Sequence, residues 1–373
     1  VSGEAQRWHG YRIARRVAES DNVVSLHLVS ENGMPLPAFE AGQFLTFRLK
    51  DSNGKPAPRN YSISSDPAER THLRISVKRE LQPACRPELP PGFGSAFMHD
   101  HAAEGTVLEA SAPKGQFRID ETSTRPVLLL AGGIGITPLL AMAHALSRQP
   151  HRPVWLVHAS ENGEVQPFSG EVRRLVERAP HIRCLTCLER PTPRDLADSR
   201  HAVAGRITEQ VLTANLPIGN YDAYLCGPPG FMQAMFDLLV GLGVRESQIH
   251  YEFFGPVSKL VASAPQQAPA DVVVQPADAP GQTQPSASAG DIVVTFAASG
   301  TSHVWDGSHR TLLDFAEAHG LSPAFSCRNG ICNTCLCELD GKVRYVDEPL
   351  EEPGAGQVLL CCSVPEGSLR LGV

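Results

Sequence analysis

The sequence predicts a multidomain chain: a small antiparallel β-barrel, an α/β domain on a parallel sheet, and a compact unit of strands and one helix around a cysteine loop. Three observations predict it. From Trp8 to about Asp120, short alternating runs are broken by Gly, Pro and Asn. From Arg125 to Pro256, strands alternate with helices. From Asp291, two strands and a helix precede Cys327-Arg-Asn-Gly-Ile-Cys332-Asn-Thr-Cys335. The expected divisions are 8–120, 121–256, a linker over 257–290, and 291–373.

In the first division the runs are Val23–Leu28, Gln43–Leu49, Arg59–Ser64, Leu73–Lys78 and Val107–Ser111. Period-two alternation at this density suits a small barrel, closed by a short helix around Ser95–His99. In the second, Val127–Leu130 leads to a helix over Pro138–Ser147, Val154–His158 to Gly170–Arg178, and Tyr221–Cys226 to Gly230–Val240. Open parallel sheets of this kind bind ligands beyond the carboxyl ends of their strands.

Residues 257–290 are rich in Ala, Pro, Gln and Ser and have too little apolar content to fold alone. As a flexible linker of about 34 residues they would span on the order of 30 Å. Beyond them, Asp291–Phe296 and His303–Trp305 read as a hairpin. Thr311–His319 then sets Leu312, Phe315, Ala316 and His319 on one helical face, stopped by Gly320. Two strands under one helix, followed by a cysteine loop, suit a β-grasp ferredoxin.

Composition narrows the function. The 373 residues are 42% hydrophobic with a net charge of −7 and no basic run, which argues against nucleic acid or an anionic membrane surface as partner. Val127–Leu146 carries no Lys, Arg, Asp or Glu over about the length that spans a bilayer. The Gly132-Gly133-Ile134-Gly135 turn and Thr137-Pro138 inside it predict instead a buried strand, a tight turn and a helix, with Thr137 as N-cap and Pro138 at the first helical position. The first residues lack the apolar core of a signal peptide, so a cytoplasmic location is expected. The chain begins on Val, which leaves room for a native start upstream.

Ten cysteines are present, six of them between Cys327 and Cys362. Three spaced C-x₄-C-x₂-C with a distant fourth match the ligand set of a plant-type [2Fe–2S] centre. Gly330 inside the loop lets the backbone bend toward the sulfurs. Zinc also accepts four cysteines, but its usual spacing is two C-x₂₋₄-C knuckles. Cys361 and Cys362 are adjacent, and the spacing alone leaves either as fourth ligand. Cys184-Leu-Thr-Cys187 reads as strand, with its two thiols on opposite faces rather than as a redox pair. The fourteen histidines show no metal-ligand spacing.

Other motifs suggest nucleotides. Gly132–Pro138 follows an apolar strand and opens a helix, whose N–H groups and dipole suit a pyrophosphate. Cys226-Gly227-Pro-Pro-Gly230 also joins a strand to a helix. In Arg59-Asn-Tyr61-Ser62, Arg59 and Tyr61 share a face, one suited to a phosphate and the other to a ring system. After Val154–His158 comes Glu161 with no Arg or Lys beside it in sequence, which favours a free ribose hydroxyl and hence NADH.

With these residues in hand, positions 1–256 resemble the ferredoxin–NADP⁺ reductase superfamily, the flavohaemoglobin reductase module in particular. The resemblance rests on Arg59-x-Tyr61-Ser62, Ile75–Glu80, Ser95 before Phe97-Met-His99, Gly132–Pro138, Cys226–Met232 and Ile249–Pro256. Positions 291–373 resemble plant-type ferredoxins, in which a proline stands four places after the last ligand, as Pro365 does after Cys361. The resemblance implies metal ligands Cys327, Cys332, Cys335 and Cys361, with Cys337 and Cys362 as packing residues. It implies FAD in the barrel: Arg59 and Ser95 on its pyrophosphate, Tyr61 stacked on its ring and Ser62 near its reactive nitrogen. Gly133, Thr137, Cys226 and Gly227 would line the nicotinamide nucleotide site, and Glu252 and Phe254 would close over the flavin. Ser62, Cys226 and Glu252 are the expected catalytic residues. Reductases of the phthalate dioxygenase type share this domain order and can use FMN; the Glu252–Pro256 pattern favours FAD. Only 25 residues separate Cys335 from Cys361, somewhat fewer than in plant ferredoxins.

The expected function is an NADH-dependent reductase passing electrons from NADH to FAD, to a [2Fe–2S] cluster, and on to a partner protein such as an oxygenase component. The alternatives are the reductase portion of a larger polypeptide and a non-redox zinc-binding module.

Overall fold

The computed structural model describes residues 8–50, 54–55, 57–82, 92–198, 203–254, 260, 292–321, 323–325, 330, 333–349 and 352–373. The linker expected over 257–290, Leu260 apart, and the cysteines Cys327 and Cys332 lie outside them. The chain divides into two compact units, Val1–Leu260 and Val261–Val373.

The first unit opens with β1 (His9–Ser20), β2 (Val23–Ser30), β3 (Phe44–Phe47), β4 (Arg59–Ser62), β5 (Leu73–Lys78), α1 (Phe93–Asp100) and β6 (Val107–Ala110). The strands form one antiparallel sheet in the order β4-β3-β6-β1-β2-β5. Its two edges touch through an isolated bridge, Ile63 to Ile75, so the ladder expected of a closed barrel is reduced there to a single pairing. Ile13, Leu26, Leu28, Leu45, Phe47, Leu73 and Ile75 fill the interior. They are the apolar members of the alternating runs, turned to one side by the two-residue period.

The second half of the unit contains β7 (Val127–Gly132), α2 (Ile136–Leu146), β8 (Val154–Ser160), α3 (Ser169–Arg178), β9 (Ile182–Leu188), α4 (Pro193–Ala197), β10 (Val203–Ala204), α5 (Glu209–Asn215), β11 (Asp222–Cys226), α6 (Pro229–Gly241) and β12 (Ile249–Glu252). The sheet is parallel throughout, in the order β10-β9-β8-β7-β11-β12. Every residue of β7 and of α2 is buried, which accounts for the charge-free stretch from Val127 to Leu146. An eleven-residue helix is about 16 Å long, roughly half a bilayer core. Among the described residues no helix is long and apolar enough to cross a membrane.

Thr137 is not the N-cap expected of it. A single 3₁₀ turn, Gly133–Gly135, runs directly into α2, so the cap position falls to Gly135 and Thr137 lies inside the first turn. Its hydroxyl donates to Ile134 O at 3.0 Å instead. Pro138 is tolerated because first-turn N–H groups have no intrahelical partner.

Buried charge joins the two halves of this unit. Arg74 of β5 donates to both carboxylate oxygens of Glu171 on α3, at 2.6 and 3.0 Å, and lies over the Phe168 ring. His144 Nε2 of α2 stands 2.7 Å from Glu171 Oε1. Burial alone would raise the Glu171 pKa, but the hydrogen bonds from His144 and Arg74 and the Arg74 charge hold it down at about 2.

The second unit contains β13 (Val293–Phe296), β14 (Thr301–Val304), α7 (Leu312–Ala318), β15 (Leu336–Asp340), β16 (Val343–Tyr345), β17 (Gln357–Leu359), β18 (Ser363–Pro365) and β19 (Leu369–Leu371). A five-stranded mixed sheet runs β14-β13-β19-β15-β17, with β16 and β18 paired beside it. The expected hairpin is β13–β14, and Thr311 caps α7 by accepting from Asp314 N. Leu312, Leu313 and Phe315 of α7 pack with Val294, Phe296, Leu360 and Cys361 in one core.

Candidate functional site

From β7 the chain proceeds outward through β8 and β9, whereas β11 and β12 lie on the other side of β7. The carboxyl ends of β7 and β11 therefore flank the point where strand order reverses, the usual ligand crevice of an open parallel sheet. Two glycine turns occupy it, Gly132–Gly135 and Cys226–Gly227. A Cβ on Gly135 would stand 2.1 Å from Cys226 O, so only glycine lets the two turns approach. Gly133 has φ +53° with nothing within 4 Å of where its Cβ would be. That is a left-handed turn open to an incoming group.

Three expected catalytic residues come together here. β11 and β12 pair with Cys226 opposite Glu252, and Ser62 ends β4 close enough to Glu252 to lower its pKa. The contact falls short of a hydrogen bond. Ser62 Oγ and Glu252 Oε2 are both enclosed without a partner, an arrangement native structures rarely leave unfilled. Burial raises the Glu252 pKa to about 8. Cys226 is wholly buried, and burial followed by the nearby Glu252 pushes its thiol well above the usual range. At neutral pH the group is therefore a carboxylic acid, a thiol and a hydroxyl, able to hold a proton and to hydrogen-bond a polar ring edge without adding charge. A flavin edge fits this donor set.

Arg59 and Tyr61 lie on one face of β4, opposite Phe47 and Leu45. A side chain on Gly94, in the first turn of α1, would start 2.7 Å from Arg59 Cγ and 3.0 Å from Tyr61 Oη. A cation, an aromatic ring and a helix start are thus grouped, as a flavin phosphate and ring would need. Burial pushes the Tyr61 phenol far above its ordinary range. The Ser95 hydroxyl is already engaged, donating to Gly92 O at 2.9 Å and accepting from Glu80 N at 3.0 Å. What α1 offers an anion is chiefly its first-turn N–H groups. Phe254 is exposed just beyond β12.

Glu161 follows β8 directly, as the sequence implies, but a cation meets it from the next strand. Arg190, two residues past the end of β9, donates through NH2 to Glu161 Oε1 at 2.8 Å and through its backbone N–H to Glu161 O at 2.8 Å. Arg190 lies 29 positions from Glu161 in the chain, so the loop after β8 does not reveal it in sequence. The parallel pairing of Ser160 with Leu188 is the signal that brings the two loops together.

In the second unit, Gly330 N–H donates to Cys361 Sγ at 3.2 Å. Gly330 adopts φ +65°, and a Cβ there would meet Cys362 Sγ at 2.7 Å. Cys335 and Cys361 are buried in the same core, and an amide that donates to Cys361 Sγ is a contact suited to a sulfur that ligates a cluster. Cys362 Sγ instead donates to Leu359 O at 3.5 Å. Among the described residues the seven cysteines form no disulfide, and Cys184 and Cys187 have thiols raised by burial to about 11.

Family models match the chain in three consecutive places. An oxidoreductase FAD-binding domain covers residues 12–119, an oxidoreductase NAD-binding domain 129–237, and a 2Fe-2S iron-sulfur cluster binding domain 299–366. The chain thus carries, in this order, an oxidoreductase FAD-binding domain, an oxidoreductase NAD-binding domain and a 2Fe-2S cluster binding domain. These are oxidoreductase domains, and they support FAD, a nicotinamide nucleotide and a [2Fe–2S] cluster as its cofactors. The flavohemoprotein of Rhodopirellula baltica is 38% identical over 260 residues, covering 68% of this reductase and 63% of the relative. That of Xylella fastidiosa is 40% identical over 259 residues, covering 69% and 61%. The reductase thus spans about three fifths of the length of these curated relatives. Among solved structures, the FAD/NAD binding domain of nitric oxide dioxygenase from Vibrio cholerae is 28% identical with a TM-score of 0.58, covering 67% of this reductase and 100% of that chain. Phthalate dioxygenase reductase is 23% identical with a TM-score of 0.55 and covers 98% of both chains, a likeness of fold that includes the 2Fe-2S part.

Proposed function

We propose that this reductase draws an electron pair from NADH and delivers single electrons through its [2Fe–2S] domain to a partner protein such as an oxygenase component. The observation that carries the reading is the convergence of Ser62, Cys226 and Glu252, with two polar atoms enclosed and unpartnered, in a chain that also holds the Gly330–Cys361 contact. Bound FAD exchanges an electron pair for single electrons, and the cluster carries one at a time.

The residues divide the work. Arg59 and the start of α1 hold the flavin phosphates, with Ser95 bracing that helix start, and Tyr61 lies against the ring. Ser62 hydrogen-bonds the ring edge, Glu252 keeps a proton beside it, and Phe254 covers the site. The Gly133 turn, with Thr137 bracing it, and Gly227 take the nucleotide. Cys226 borders the nicotinamide as an uncharged thiol, and Glu161 meets the ribose. Cys327, Cys332, Cys335 and Cys361 hold the cluster. We assign the flavin part to 8–120, the nucleotide part to 121–256, a flexible linker to 257–290 and the cluster part to 291–373, in keeping with the composition of the linker and the spans of the matched domains. Residues 291–373 hold eleven Asp and Glu against five Lys and Arg, which favours an acceptor with a basic docking face. Ligands that must be thiolates favour the cytoplasm. A second reading, the reductase portion of a larger polypeptide, is favoured by the relatives' greater length.

The test is chemical analysis followed by anaerobic NADH titration. The expected protein yields FAD on extraction, contains two irons and two acid-labile sulfides, and bleaches with NADH. A colourless, zinc-loaded protein without flavin overturns the reading. Glu252→Gln is expected to slow flavin bleaching by NADH on the order of 10²-fold while FAD content is kept; an unchanged rate removes Glu252 from the site.

A further inference from the structure

The turn that faces the crevice is tied from behind. His158 of β8 sits beside Ala131 of β7 in the parallel pairing and is 2% exposed. Its Nε2 lies 3.1 Å from Gly133 O, and Ser160 Oγ stands 3.4 Å from the same nitrogen. On the other side of the ring, Gln166 Nε2 lies 3.4 Å from Nδ1, and Gln166 is 6% exposed. A carbonyl oxygen only accepts, so the proton must be on Nε2. Burial lowers the ring pKa to about 4, so at neutral pH a single proton is present and Nδ1 accepts from Gln166. Both ring nitrogens are thus committed, and the ring cannot rotate without losing both contacts.

The consequence lies on the far side of the peptide plane. Gly133 O is held twice, by Ile136 N–H at the start of α2 and by the His158 ring. In a planar trans peptide the N–H of the following residue points opposite to the carbonyl. Holding Gly133 O toward β8 therefore turns the Ile134 N–H away from His158. Gly133 alone resists little, since glycine samples both signs of φ freely.

We propose that His158 is a positioning residue for the dinucleotide: by anchoring the Gly133 carbonyl to β8 it fixes the Ile134 N–H as a donor to a phosphate of the nicotinamide cofactor. Gln166 sets the tautomer that makes the anchor possible. The proposal rests on the reading that the turn after β7 takes the dinucleotide.

Three variants test it in the FAD-loaded, full-length protein, with NAD⁺ binding by calorimetry beside steady-state NADH kinetics. His158→Leu removes the donor and is expected to weaken NAD⁺ binding and raise KM for NADH roughly five- to twentyfold, with kcat within about twofold. His158→Gln, whose amide N–H reaches about as far as Nε2, is expected to restore most of the affinity. Gln166→Leu, which leaves the anchor but frees the tautomer, is expected to move binding in the same direction by less. It also serves as the test if His158→Leu does not fold. Unchanged NAD⁺ affinity in His158→Leu overturns the proposal, as does a fall in kcat with KM preserved. Gly133→Val separates the underlying reading. If it abolishes binding while His158→Leu does not, the turn is the site and His158 only a packing residue. If it too leaves binding unchanged, the turn is not the dinucleotide site and the proposal falls with that reading.

Discussion

The two units build their sites by opposite routes. In the first, Ser62 and Glu252 stand 190 positions apart in the chain and meet only because two sheets and their packing bring β4 beside the ends of β11 and β12. In the second, the contact beside the proposed cluster ligand Cys361 joins one loop to the segment that returns past it, Gly330 to Cys361. A site assembled by topology depends on supports far from it. A site assembled by a loop depends on the few residues that shape that loop. Mutations should therefore injure the two sites in different ways.

The largest effect is expected at the loop. Cys361→Ser should remove the cluster and take NADH-dependent cytochrome c reduction to background, while flavin bleaching by NADH continues. Cys362→Ser should retain iron and acid-labile sulfide, because its Sγ faces Leu359 O rather than the Gly330 amide. The opposite pattern in iron analysis would exchange the two assignments.

Next comes a support of the topological site. Glu171→Ala leaves the buried Arg74 guanidinium without its carboxylate and should cost the first unit about 3–5 kcal/mol, read as a lower denaturation midpoint for flavin release. The second unit's visible cluster spectrum should not move at low denaturant. The contribution has a definite pH window. The Glu171 pKa falls from near 4.3 unfolded to about 2 folded, so the stabilisation is fully present above the unfolded value and is lost as pH drops through about 2. Glu252 has the reverse sign, and in the flavin-free protein its stabilisation fades as pH rises from about 4.3 through about 8. A midpoint difference between wild type and Glu171→Gln that stays constant from pH 5 down to 2 would contradict the assignment.

This contrast also explains what could be read from the chain. The 2Fe-2S domain was legible because C-x₄-C-x₂-C is a local pattern, and the Leu312, Phe315 and Ala316 face of α7 followed from helical period, whereas His319, expected on that face, is the C-cap and exposed because the helix ends at Ala318. The parallel sheet followed from strand–helix alternation. Nothing in spacing connects Ser62 to Glu252; only the resemblance to known reductases joined them. Thr137 was misplaced because a 3₁₀ turn continuing into a helix leaves no sequence boundary between them. His158 looked like an ordinary strand residue, and Arg190 lay in a loop that only sheet register brings beside Glu161.

Two glycines sharpen the comparison at smaller scale. Gly133 and Gly330 both take positive φ, yet one faces open space and the other Cys362 Sγ. Gly133→Ala should meet only the left-handed backbone penalty, about 1–2 kcal/mol, with FAD and cluster retained. Gly330→Ala adds a clash inside the loop and should lower cluster occupancy as well. Iron per protein measured for both variants distinguishes them: equal loss, or none in Gly330→Ala, would mean the crowding there is relieved.

The smallest effect is expected at Glu161. It and Arg190 are an exposed ion pair at 2.8 Å, of a kind worth about 0–1 kcal/mol, so neither residue is a strong structural element. Their importance lies in which charge a nucleotide would meet. With Glu161 in place, the Arg190 charge is offset and a 2′-phosphate faces a carboxylate. Glu161→Gln keeps the shape and leaves Arg190 uncompensated, so kcat/KM for NADPH should rise about three- to fivefold relative to that for NADH. The double variant Glu161→Gln with Arg190→Ala should lose that gain, because no cation remains to meet the phosphate. If Glu161→Gln shifts neither ratio nor the affinity for 2′-phospho-AMP over AMP, the pair lies outside the reach of the ribose and coenzyme choice is made elsewhere in the first unit.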